Sequence, residues 1–171
     1  MTDPVRPARI VVIGPSGNGK STLAALLAER LGWRFVEGDD HHPPANVAKM
    51  ARGEPLGDAD RAPFLASIAA ELARAPYAVV ACSALRRDYR EVLAASGPVL
   101  FVLPQVPADV LRRRIAARHD HFMPASLVDS QLAALELPEG DEPALVLDGE
   151  RPAADLADSV TAYLESLPAG D

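Results

Sequence analysis

Residues Gly14-Pro15-Ser16-Gly17-Asn18-Gly19-Lys20-Ser21-Thr22 fit G-x-x-x-x-G-K-[ST], the pattern of a loop that wraps a polyphosphate. The residue types suit that work. Gly14, Gly17 and Gly19 allow left-handed dihedrals and put no Cβ in the way of an anion, so backbone N–H groups can converge on it. Lys20 is placed to reach the β- and γ-phosphates, and the Ser21 hydroxyl to ligate Mg²⁺. Ser16, Asn18 and Thr22 complete the expected nucleotide-binding loop. The flanks agree. Ile10–Ile13 is an apolar, β-branched run that reads as a buried strand, and Leu23, Leu26, Leu27 and Leu31 recur at helical spacing. The helix that follows would offer its free N–H groups and positive dipole end to the phosphates.

A second group of chemical residues lies about twenty positions on. Glu37, Asp39 and Asp40 set three carboxylates in one short turn at the end of a strand. They repel each other unless a cation offsets them, and a Mg²⁺-nucleotide held by the first loop would do so. A solvated acidic turn is the alternative. His41 and His42 lack zinc-ligand spacing and Cys82 is the single cysteine, which excludes structural zinc. Arginines form a third group. On a helix from Pro107 to Arg118, Val110, Leu111 and Ile115 share a face, Arg114 and Arg118 fall within the same arc, and Arg112 and Arg113 point away. Inward arginines need an anion, and bound polyphosphate supplies one; snorkelling to solvent is the alternative. His119–Pro124 then forms a hinge-like link into another helix ending near Glu136, which reads as a lid.

Short strands are expected at Arg34–Glu37, Tyr77–Cys82, Val99–Leu103 and Ala144–Leu147, separated by helical patterns. That alternation predicts a parallel sheet with helices on both faces. Helical stripes are Phe64, Leu65, Ile68 and Leu72; Leu85, Tyr89, Val92 and Leu93; and Leu156, Val160, Tyr163, Leu164 and Leu167. Ligands bind beyond the carboxyl ends of such strands, which nominates the first loop, the 38–40 turn, Ser83-Ala84 and the segment after Leu103. Residues 43–63 are rich in proline and glycine, with a short helix at Ala45–Ala51, and read as a surface excursion or a binding cap.

The bulk properties bound the rest. The 171 residues suit one domain, 1–171, with a cap at about 40–63 and a lid at about 118–126. The net charge of −7 and the lack of a basic run exclude a nucleic-acid partner. No apolar run reaches the length of a membrane span, and the N-terminus lacks the apolar core of a signal peptide. With one cysteine, the expected compartment is the reducing cytoplasm. Residues 1–8 and 168–171 are expected to fray.

From about Arg9 to Leu164 the chain resembles the gluconokinases of the small P-loop type, relatives of shikimate and nucleoside monophosphate kinases. The blocks that carry the resemblance are Gly14–Thr22, Glu37–Asp40 with His42–Asn46, Lys49-Met50, Gly53–Leu56, Asp58–Arg61 with Pro63, Cys82–Arg86, Tyr89-Arg90, and His121–Pro124 with Ser130-Gln131. It implies an α/β P-loop NTPase three-layer sandwich with a five-stranded parallel sheet of order 2-3-1-4-5. The implied reaction is ATP- and Mg²⁺-dependent phosphorylation of D-gluconate on its 6-hydroxyl, and a homodimer is implied with it. Lys20, Asp39 and Arg118 become the catalytic candidates, with Asp39 gripping the acceptor hydroxyl as orienter or base; whether Asp39 or Asp40 faces it is left open. Glu37 would order water on the metal held by Ser21. Arg114 would lie against adenine, and Arg151 and Pro152 would contact it through backbone. Arg61 and Arg86 are candidates for the gluconate carboxylate, and His42, Lys49 and Gln131 for the sugar hydroxyls. Departures from the family pattern are His41, Phe64, His119 and Asp120. A kinase of another small acid or sugar is the neighbouring reading. A nucleotide switch without turnover is the reading from another class, though the chain has no N-K-x-D stretch.

Overall fold

The computed structural model describes residues 5–118, 124 and 126–169. Five parallel strands are joined by helices in the order β1 (Arg9–Val12), α1 (Lys20–Leu31), β2 (Arg34–Glu37), a 3-10 turn (Gly38–His41), α2 (Pro44–Ala51), α3 (Asp58–Arg74), β3 (Ala78–Ala81), α4 (Arg87–Ala94), β4 (Leu100–Gln105), α5 (Ala108–Ala116), α6 (Ser126–Ala134), β5 (Ala144–Asp148) and α7 (Ala153–Ser166). The sheet runs β2-β3-β1-β4-β5, the expected order. Its register sets Ile10 beside Val79 and Leu100, and Phe101 beside Ala144.

The period of two along β1 explains the layers. Val11 and Ile13 face one core, with Val80, Phe101 and Leu103 from the sheet, Phe64, Leu65, Ile68 and Leu72 from α3, and Tyr89 and Leu93 from α4. Ile10 and Val12 face the other, with Leu23 and Leu27 from α1 and Leu156, Val160 and Leu164 from α7. Strands buried on both faces read as continuous apolar runs, which is why β1 and β3 are legible as such.

Several expectations need correction. Val92 is 44% exposed, on the solvent side of α4. Leu85 is buried as expected but precedes that helix. Pro63, assigned to the irregular cap, lies inside α3, which begins at Asp58. The arginine helix is shorter than Pro107–Arg118: Pro107 caps it and Arg118 lies beyond its end. The N-terminal stretch is not loose from Val5 onward. Arg6 donates through Nε to the Leu164 carbonyl at 2.9 Å, and its backbone N–H reaches Pro168 O at 3.2 Å. Most of the expected lid, namely His119, Asp120, His121, Phe122, Met123 and Ala125, lies outside the described residues.

Candidate active site

The phosphate loop leaves β1 and enters α1, and its shape is fixed by its own residues. Gly14, Gly17 and Gly19 have φ of 131°, 89° and 84°, in the region that favours glycine. A Cβ on Gly14 would fall on the Asn18 amide. Asn18 is a builder of this loop. Its buried Nδ2 donates to Ile13 O at 2.9 Å and Pro104 O at 3.1 Å, tying the loop to the ends of β1 and β4, and its Oδ1 accepts from Lys20 N–H at 3.1 Å. Ser16, Gly17, Gly19, Lys20, Ser21 and Thr22 line a hollow open to solvent, with Asp39 and Arg118 also in its wall. Gly14, Ser16, Gly17, Asn18, Gly19, Lys20, Ser21 and Thr22 thus form one structural unit.

A second hollow, about 500 Å³ and open to solvent, adjoins the first. Its polar lining is Ser16, Lys20, Asp39, His42, Arg61, Ser83, Ser130 and Gln131, and its apolar lining is Met50, Pro55, Leu56, Leu85 and Leu127. Ser16, Lys20 and Asp39 belong to both hollows. Asp39 is therefore the carboxylate of the acidic turn that faces the junction, and Asp40 lines neither hollow. The turn is held by Gly38, where a Cβ would collide with the Ala81 carbonyl of β3, and by the Glu37 carboxylate, which accepts the Asp39 N–H at 3.4 Å.

Burial lowers the Lys20 pKa below its usual value, while Asp39, Cys82 and Glu37 act to raise it. The negative charge of a phosphate in the first hollow would offset that cost and favour the ammonium form. Burial pushes the Cys82 thiol up to about 12, which makes it an inert core group. His42 is stacked on Phe64 with ring centroids 3.8 Å apart and planes 7° from parallel. Burial lowers its pKa, Asp39 opposes the shift, and Arg61 and His41 add to it. Arg61 donates through Nη1 to Leu56 O at 2.6 Å and to the Tyr89 hydroxyl at 3.2 Å. Its guanidinium also lies 5.3 Å from the Tyr89 ring centre. The second hollow so brings two cations, Lys20 and Arg61, against one carboxylate, which suits an anionic ligand.

The other candidates are placed differently. Lys49 does not line the second hollow; its Nζ pairs with Asp60 Oδ2 at 2.8 Å, and Asp60 also accepts from Gly57 N–H at 2.8 Å. Arg86 is likewise outside the lining. It lies 5.6 Å from the Tyr89 ring centre, among Asp58, Asp88 and Glu136. Asp60 holds Lys49, and Asp58, Asp88 and Glu136 surround Arg86, so neither cation is turned into the second hollow. Arg114 points inward as expected, but its Nη1 donates to Gly17 O at 3.0 Å and so braces the loop. Arg112 pairs outward with Asp129 of α6. Arg151 folds back on α7, where Nη2 donates to Asp155 O and Ser159 Oγ, both at 3.2 Å, and Pro152 caps that helix. Neither reaches the phosphate hollow. Ser83, Leu85, Leu127 and Ser130 also line the second hollow. The strand-end rule nominated Ser83, and Leu85 and Ser130 stand within the blocks that carry the family resemblance, though none was given a role in the site; nothing in the local pattern marked Leu127.

A family model described as an AAA domain matches residues 10–138. The chain is 49% identical over 152 residues to a gluconokinase of Gluconobacter oxydans (strain 621H), covering 86% of this chain and 85% of that one. It is 43% identical over 143 residues to a probable gluconokinase of Schizosaccharomyces pombe, covering 77% and 74%. The crystal structure of a gluconokinase from Sinorhizobium meliloti 1021 superposes with a TM-score of 0.84 at 44% identity, covering 94% of this chain and 93% of that one. A shikimate kinase from Aquifex aeolicus shares the fold at 17% identity, with a TM-score of 0.65. A phosphate loop that opens onto a hollow lined by Lys20, Arg61 and Asp39, on a 2-3-1-4-5 sheet and with this identity across most of both chains, places the protein in the gluconokinase family.

Proposed function

We propose that the protein transfers the γ-phosphoryl group of ATP to the 6-hydroxyl of D-gluconate, giving 6-phospho-D-gluconate and ADP. The observation that carries this reading is the sharing of Ser16, Lys20 and Asp39 by two adjoining hollows, one built for phosphate and one for an anionic acceptor. A phosphoryl group in the first meets a hydroxyl in the second at that shared wall.

The residues divide the work. The loop amides and Lys20 hold the phosphates in line. Asp39 receives or orients the acceptor hydroxyl proton; the transition state is loose, so placement matters more than base strength. Arg118, at the rim of the phosphate hollow, offsets charge on the transferred group. Arg61 binds the gluconate carboxylate, while His42 and Gln131 meet the hydroxyls. Arg114 and the Arg151-Pro152 backbone flank adenine. Arg86 and Lys49 shape the acceptor side through Asp58, Tyr89 and Asp60.

The site suits Mg²⁺. Ser21 lines the phosphate hollow, and Glu37 and Asp39 are hard oxygen donors nearby in the fold. Among the described residues no cluster of three His, Cys, Asp or Glu side chains could hold a metal ion. Ser21 would hold Mg²⁺ directly and Glu37 through water, and the ion would neutralise charge on the β- and γ-phosphates. No helix among the described residues is long and apolar enough to cross a membrane. A cytoplasmic homodimer completes the reading.

An acceptor panel with ADP detection tests it. Gluconate is expected to give the highest kcat/KM. Preference for another polyol acid would move the assignment to a neighbouring kinase, and tight nucleotide binding without acceptor-dependent ADP release would refute turnover.

A further inference from the structure

We propose that recognition of the acceptor depends on the turn Ser83–Leu85, which the buried Arg90–Glu142 ion pair holds in a strained conformation. The inference rests on reading the second hollow as the acceptor site. Ser83 and Leu85 line that hollow, and Ala84 between them is 1% exposed with φ of 35°. That is left-handed backbone for a residue with a Cβ, and such strain persists only where the surroundings over-determine it.

Here they do. The Gly14 N–H donates to Ser83 O at 3.0 Å, and the Glu136 N–H to Leu85 O at 2.8 Å. Arg90 Nη1 donates to Ala84 O at 3.1 Å and Leu85 O at 3.2 Å. Arg90 itself is 1% exposed, the largest fully buried side chain described. Its other face is fixed by Glu142, with Nε to Oε1 at 2.7 Å and Nη2 to Oε2 at 3.2 Å. The hydrogen bond from Arg90 is the largest cause holding the Glu142 carboxyl below its usual pKa, which favours the carboxylate form.

A buried ion pair seldom adds stability over a well-packed apolar pair. This one does what an apolar pair cannot: it turns two consecutive carbonyls toward α4. Arg90 and Glu142 do not line the hollow, so they are positioning residues. The turn is also bonded to Gly14, the first residue of the phosphate loop. The same brace therefore fixes the acceptor wall relative to the phosphates.

Two variants test this, Glu142→Gln and Ala84→Gly, with KM for gluconate and ATP, kcat and Tm measured for each. Glu142→Gln keeps the side-chain shape and removes the charge that orients Arg90. Ala84→Gly removes the Cβ that makes this φ costly, so the turn no longer opposes the brace. Glu142→Gln is expected to raise the gluconate KM fivefold or more while the ATP KM stays within twofold. Ala84→Gly alone should leave both KM values within twofold with Tm retained or raised, and adding it to Glu142→Gln should bring the gluconate KM at least halfway back, because the turn then keeps its shape without the charge. A purely structural role would instead lower the active fraction, so a fall in kcat with both KM values unchanged overturns the proposal. So does an unchanged gluconate KM in Glu142→Gln, or a double variant no better than Glu142→Gln alone. If the wild type prefers another polyol acid, the substrate reading fails, and the same KM comparison with that acid decides the positioning role. No acceptor-dependent ADP release with any acid overturns both.

Discussion

The backbone N–H of Ser16 donates to the side-chain oxygen of Gln131 at 2.8 Å, joining the phosphate loop to α6 across 115 residues of sequence. Gln131 also lines the acceptor hollow. One side chain thus touches the walls of both ligands. Gln131→Ala is expected to raise the KM for ATP and for gluconate together, each by about two- to tenfold, the range of one lost neutral hydrogen bond. An effect on gluconate alone would show that the bond to Ser16 does not matter to the nucleotide.

Lys20 carries two separable consequences. Lys20→Met keeps most of the stem and removes the ammonium, so kcat should fall by about a thousandfold, the scale of losing a charge aimed at the transition state. The second consequence is in stability. Burial sets the folded pKa of Lys20 below 10.5, so in the window between that folded value and 10.5 the unfolded chain binds more protons than the folded one. Stability of the unliganded protein then gains a positive slope with pH across that window. Thermal melts of wild type and Lys20→Met as pH approaches 10.5 from below should show the wild type gaining relative to the variant; parallel curves would refute the burial argument.

How much of this was legible beforehand follows from where the information lies. The phosphate loop, the alternation of strands and helices and the inward direction of Arg114 depend on local periodicity and on glycine placement, which a short window contains; the strand order depends on which strands pair, and only the family resemblance implied it. Strand ends moved by a residue or two, as at Ala78–Ala81. The fates of Lys49 and Arg86 were not legible, because Asp60 reaches Lys49 only once α2 and α3 have packed, and Asp58 and Glu136 join the local Asp88 around Arg86 only once α3 and the segment after α6 have come together. Ala84 gave no sign of its positive φ, since alanine usually avoids that region. Val92 looked like a core residue because a helical stripe has blurred edges, and only the packing of α4 on α3 decides which edge faces water.

Acid should weaken the fold partly through His42. Its folded pKa lies below 6.5, chiefly from burial, with Arg61 and His41 adding to the shift and Asp39 opposing it. A histidine of this kind favours folding while neutral. Its contribution is complete above 6.5 and is lost as the pH falls from 6.5 through the folded value. His42→Gln should therefore lose less Tm than the wild type on acidification through that window, even if it starts lower for want of the Phe64 stack. An identical pH profile in the two proteins would show that His42 does not titrate with folding.

Arg61 offers the sharpest separation between the two ligands. Its guanidinium lines the acceptor hollow and does not line the phosphate hollow. It is held by the Leu56 carbonyl and the Tyr89 hydroxyl through one terminal nitrogen, Nη1. That anchoring leaves the remaining N–H groups to meet a carboxylate and lowers the entropy lost on binding it. A charge-assisted hydrogen bond contributes about 1.5–3 kcal/mol, so Arg61→Ala should raise the gluconate KM by roughly ten- to a hundredfold. The ATP KM should stay within about twofold. Arg61→Lys restores the charge but not the planar fork, and should recover only part of the loss. Equal rises in both KM values for Arg61→Ala would remove this arginine from the acceptor site, and full recovery in Arg61→Lys would show that charge alone, without geometry, is what the carboxylate reads.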